Sequence, residues 1–167
     1  MPGPRRSSLN VGFDCARAEQ YNVSVPIATV DRNILRQLAD IRLAESGVLI
    51  ASKMWTGAYY LAGLSVECAL KSYHASAVKQ YDYPNKDFIL KLYSHGLEDL
   101  LSLDPTLKLA LQTDAKANQK LAVNWSTVKD WKIEKRYEII PELDARGMYD
   151  AVSETGSGVM AWIKTKW

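Results

Sequence analysis

The chain has 167 residues, 47% hydrophobic and 24% charged, with a net charge of +2. That is enough for one globular domain with its own core, and too little charge to argue by itself for a nucleic-acid binder, although a basic patch can form locally. Cys15 and Cys68 lie far apart and show no metal-ligand spacing, which excludes a disulfide framework and fits a cytoplasmic protein with reduced thiols.

Residues 1–26 mix Pro, Gly, Arg, Ser and Asn with no sustained period. They are expected to be a flexible N-terminal arm, docking at most through Val11, Phe13 or Tyr21. Two arginines with no apolar core after them do not make a secretory signal. Residues 27–167 are expected to form one helical domain. Asp31 is a good cap for its first helix, with Ile34, Leu35, Leu38, Ile41, Leu43 and Val48 as the apolar stripe and Gly47 loosening the end. Arg32, Arg36, Gln37, Asp40 and Glu45 should face water.

The second helix is predicted from about Lys53 to Tyr81. It carries no charge between Met54 and Val66. Trp55, Tyr59, Ala62, Val66, Leu70, Tyr73 and Ala77 recur at helical steps, and Leu61, Leu64 and Cys68 widen the stripe until it nearly circles the helix. Such a helix must lie at the centre of a bundle or in a subunit interface. Gly57, Ala58, Ala62, Gly63 and Ser65 allow close approach of a neighbour, which offsets the roughly 1 kcal/mol of helix propensity lost at each glycine. The run is still short of the roughly 20 apolar residues that span a bilayer, so no membrane is expected.

After a loop at Pro84 and Asn85, a short helix is predicted around Ser94 to Leu103, capped by Ser94, with Leu97, Leu100 and Leu101 inward. Pro105 suits the first turn of the next helix, which reaches about Lys129 with a break near Asp114. Residues 131–138 are a less regular link. Pro141 opens the last helix, with Leu143, Met148, Ala151, Val152, Val159, Met160 and Ile163 buried and a kink at Gly156 and Gly158. No strand pattern or internal repeat appears. The fold class is all-α, an up-and-down bundle of four to five helices.

Several side chains could carry chemistry. Glu67 and Lys71 stand four apart, with the glutamate first, the better order for an ion pair within a helix. They form either a salt bridge at the core edge or a cleft in which Lys71 meets phosphate. His95 sits at a helix start, either as part of the cap or as an anion ligand and general acid or base. Lys132, Lys135 and Arg136 cluster beside Trp125, Trp131 and Tyr137. Cations grip phosphate and aromatic faces stack on bases, so this mixture suits a nucleotide or single-stranded RNA; the alternative is that Arg136 pairs with Glu134, Glu138 or Glu142. His74 is expected at the surface or core edge, and most of the five tryptophans in the core. No phosphate-binding glycine loop, nucleophile elbow or metal cluster is visible, so no metal or cofactor is expected.

In their order, four segments resemble the HEPN family (higher eukaryotes and prokaryotes nucleotide-binding). Ala58-Tyr-Tyr-Leu-Ala is similar to the start of its central helix. Val66-Glu-Cys-Ala-Leu-Lys71 is similar to its Ala-Val-Glu-x-x-Leu-Lys core, and His95-Gly-Leu-Glu-Asp-Leu-Leu101 to its His-Asp-Leu-x-x-Leu segment. Arg136-Tyr137 stands where many members carry an Arg-Tyr pair before the last helix. The resemblance implies a helical bundle that usually forms a homodimer, acting as a ribonuclease toxin, a nucleotide binder, or a non-catalytic partner of a nucleotidyltransferase or antitoxin. The family's ribonucleases use Arg, four to six residues of any kind, then His. Neither His74 nor His95 has an arginine at that spacing; the nearest upstream is Arg42. The expected function is therefore a non-catalytic HEPN-like protein that binds a nucleotide, RNA or protein partner, within a toxin–antitoxin or phage-defence module. The alternative is a divergent, metal-independent ribonuclease using His95, Arg136 and Tyr137. The breadth of the second helix's stripe is a separate physical argument for a dimer.

Overall fold

A computed structural model describes residues 30–78 and 85–167. The helical hairpin of α1 (Arg32–Ala51) and α2 (Trp55–Ala75) is its spine. Asp31 caps α1 as expected, its carboxylate accepting the Ile34 amide at 2.8 Å. Lys53 adopts a left-handed φ of 58° in the tight connection to α2. Inside the hairpin, buried Ser46 donates to the Ala58 carbonyl at 2.7 Å, which satisfies a hydroxyl that would otherwise be costly to bury.

The chain continues through α3 (Lys86–Leu92), α4 (Leu97–Ser102), α5 (Pro105–Ala117) and α6 (Gln119–Val128), then a single 3₁₀ turn (Ile133–Tyr137), α7 (Glu142–Ser153) and α8 (Val159–Lys164). The described residues are all-α, with no strand. Five of these eight helices have ten residues or more. α1, α4, α7, α8 and the 3₁₀ turn all pack on α2. Every α2 residue is buried or half-buried, so one chain's own helices absorb its wide apolar stripe. The stripe's breadth is then no argument for a dimer. No helix among the described residues is long and apolar enough to cross a membrane.

Several local expectations change. α2 ends at Ala75, with a turn through Val78, rather than running to Tyr81, which lies outside the described residues together with Pro84 and residues 1–29. Asn85 caps a helix, α3, that was not foreseen, accepting the amides of Asp87 and Phe88. Ser94 does not cap α4; Gly96 holds that position, and the Ser94 hydroxyl accepts the Gly96 amide at 3.2 Å. The break in the 106–129 segment falls at Asn118, not Asp114, because Asn118 both ends α5 and caps α6 through Lys120 and Leu121. The kink at Gly156 and Gly158 is a full break between α7 and α8. Ile34, Ile41 and Val48 are exposed, since α1 turns Ala39 and Ser46 inward. Leu143 is likewise exposed, two residues before Ala145 and so on the other side of α7 from its buried face.

Candidate functional site

Residues 131–140 lie along the first half of α2 like a strap. At one end, the Trp131 ring is wholly buried and fills the space where a Cβ at Gly63 would stand. It also meets Tyr60, with ring centroids 5.7 Å apart. At the other end, the Ile140 amide donates to the Thr56 hydroxyl at 3.1 Å. Between these anchors the 3₁₀ turn presents Arg136 and Tyr137 to solvent. The guanidinium lies 4.8 Å from the Tyr137 ring centroid, a cation–π stack. The phenols of Tyr137 and, to a smaller extent, Tyr60 raise the Arg136 pKa further. None of the three expected carboxylates takes it. Glu138 accepts Lys135 at 2.7 Å and Glu142 accepts Arg146 at 2.7 Å, and among the described residues Arg136 has no carboxylate partner. Lys132 is exposed and also has none. Tyr137 is 77% exposed, an open aromatic ring carrying the stacked guanidinium.

Farther along α2, Glu67 is only 4% exposed, and its Oε1 accepts both the Lys71 ammonium at 2.8 Å and His95 Nδ1 at 3.0 Å. A carboxylate can only accept, so the His95 proton sits on Nδ1. In the neutral ring, Nε2 is then the free acceptor. The ring is half-exposed, in the short turn before α4. Glu67 Oε2 is buried with no hydrogen-bond partner among the described residues. This arrangement can hold an imidazole in one tautomer with its other nitrogen turned outward, as acid–base groups require. The neighbouring Cys68 thiol is pushed up to about 11 by burial and then by the Glu67 charge. It stays a thiol at neutral pH and is no nucleophile.

The two groups do not converge. Tyr60, at the level of Arg136, and Glu67, which holds His95, are seven residues apart on one side of α2. At 1.5 Å per residue that is about 10 Å along the axis. Among the described residues no hydrogen bond or ion pair links Arg136 or Tyr137 to His95. Lys71 is committed to Glu67 and Lys135 to Glu138, so Lys132 and Arg136 are the cations of the expected set that have no carboxylate partner among the described residues. His74 is a core residue rather than an edge one: its ring is buried, Nε2 bonds the Leu100 carbonyl at 2.7 Å, and Tyr73 and Phe88 meet it edge-on. Sequence reasoning missed Tyr60 as a support for Arg136 and Glu67 as the anchor for His95. The seven-residue spacing of Tyr60 and Glu67 put them on one helix face, but nothing in the sequence brought residues 95 and 136 to it. Among the described residues no three His, Cys, Asp or Glu side chains group as a metal site would.

No family model, curated protein or solved structure matches the chain.

Proposed function

We propose that this protein is an HEPN-like helical bundle that binds a nucleotide or single-stranded RNA on the Arg136–Tyr137 face without cleaving it. One observation carries the proposal: an exposed guanidinium stacked on an exposed tyrosine, near Lys132 in the chain, with no carboxylate among the described residues consuming either cation. Phosphate prefers such a free guanidinium, and a base can stack on the open ring. The resemblance in residues 58–137 extends the proposal to a homodimer that works with an antitoxin or nucleotidyltransferase in a toxin–antitoxin or phage-defence module.

The test is fluorescence anisotropy with a labelled 12-nucleotide single-stranded RNA at several salt concentrations. Binding should weaken with salt. Arg136→Ala and Lys132→Ala should each lower the log–log salt slope by roughly 0.7, the value for one phosphate contact on a single strand. Lys135→Ala, which loses only a cation already paired with Glu138, should change it less. Absence of binding at low salt, or equal loss for all three variants, would refute the proposed face.

A second function, metal-independent RNA cleavage, is favoured by a different observation, the buried Glu67 carboxylate that leaves His95 Nε2 free. Purified protein incubated with total RNA in chelator would show it. Cleavage abolished by His95→Ala would replace the binding role with a catalytic one. An intact RNA pool with both forms would remove it.

A further inference from the structure

A groove of about 420 Å³ opens between α4, α5 and α6, on helices that carry none of the residues discussed above for phosphate binding. Its volume falls within the range of small-molecule sites. Leu101, Leu111 and Trp125 form the floor, all at least nine-tenths buried. Ala115 and Ala122 leave width between the two helices. The rim carries two ammonium groups of different standing. Lys108 is tied to Glu98 at 3.3 Å and to the Ser102 hydroxyl at 2.9 Å. Lys129, the cap residue at the end of α6, has no carboxylate partner among the described residues.

We propose that this groove binds a small amphiphilic monocarboxylate. Its acyl or aryl body lies against Leu111 and Trp125, and its carboxylate pairs with Lys129. The charge count decides the class. One uncompensated ammonium over an apolar floor matches one anionic head, whereas a polyphosphate needs several free cations and finds Lys108 already spent on Glu98. Apolar burial supplies most of the affinity, and the ion pair at the mouth orients the ligand and adds a smaller increment. The site stands independently of RNA binding at Arg136.

Titrating the full chain with octanoate and, separately, with 1-octanol, followed by amide and indole NMR shifts, tests it. Both should shift the groove residues and the Trp125 indole. Lys129→Gln, a surface change, should weaken octanoate about 2- to 5-fold and leave octanol unchanged. Ser126→Phe, which places a ring at the exposed mouth, should weaken both. The proposal is overturned by an absence of shifts at millimolar octanoate, by shifts scattered over the molecule, or by a Lys129→Gln effect that is the same for acid and alcohol.

Discussion

The Trp131 indole occupies the place where any side chain at Gly63 would begin. The missing Cβ in the middle of α2 is what lets the strap lie down, and so what positions Arg136 and Tyr137. Gly63→Ala should therefore destabilise the protein although alanine favours helix. Overpacking against a fully buried ring costs about 1–3 kcal/mol, more than the roughly 1 kcal/mol gained in propensity. Gly147, inside α7, has open space where its Cβ would go, and Gly147→Ala should stabilise by about 0.5–1 kcal/mol. Urea unfolding of the two variants should move in opposite directions; a shared direction would mean that Trp131 simply relaxes away.

His74 should make stability depend on pH. Burial lowers its pKa below 6.5, with the Leu100 carbonyl bond only partly opposing that. Between the lowered folded value and 6.5 the unfolded chain binds more protons, so stability rises with pH there. The contribution is fully present above about 6.5 and is lost as pH falls toward the folded value. Unfolding midpoints measured between pH 7.5 and 5 should drop for the native chain, and more gently for His74→Gln. The carboxylates with lowered pKa, Asp104, Asp114 and Glu154, lose their contribution only in the acid range below their ordinary values of 3.8 to 4.5, so the two windows separate.

Glu67 holds two cationic or proton-donating partners on one oxygen. Glu67→Ala leaves the Lys71 ammonium, whose side chain is 17% exposed, without its counter-charge. The expected loss is about 3 kcal/mol, at the low end for a broken buried pair. His95→Ala, on a half-exposed ring, should cost less than about 1 kcal/mol. If denaturant melts ranked the two the other way, the triad's weight would sit on the histidine.

At the proposed RNA face, Arg136→Lys separates charge from stacking. Lysine keeps the cation but not the planar group that lies on Tyr137. Binding of single-stranded RNA should weaken several-fold with little change in salt slope, and Tyr137→Ala should reproduce that loss. Unchanged affinity in both variants would reduce the site to a point charge.

Much of the fold was legible because local chemistry agreed with tertiary packing. Asp31, Pro105 and the dense apolar run of α2 behave as their types dictate. Ile34, Ile41 and Val48 are apolar in a helical period, yet α1 turns the small Ala39 and Ser46 inward, and these set the side of α1 that meets α2. α3 escaped notice because a seven-residue helix resting on an Asn85 cap has too short a period to detect. At the candidate site, the residue types and the Glu67–Lys71 spacing were readable, since an ion pair within a helix is a local geometry.

By itself, then, the sequence determined the all-helical class, most of the helices, the central place of α2 and the residues with reactive or charged side chains. These follow from periodicity, capping and side-chain type, which act over a few residues. Only the tertiary structure decided that His95 meets Glu67, that Arg136 rests on Tyr137 rather than on a carboxylate, and that the two groups lie about two turns of α2 apart. His95 and Glu67 stand 28 positions apart, and no local rule encodes which distant partner a buried carboxylate meets or which of its near neighbours a guanidinium rests on.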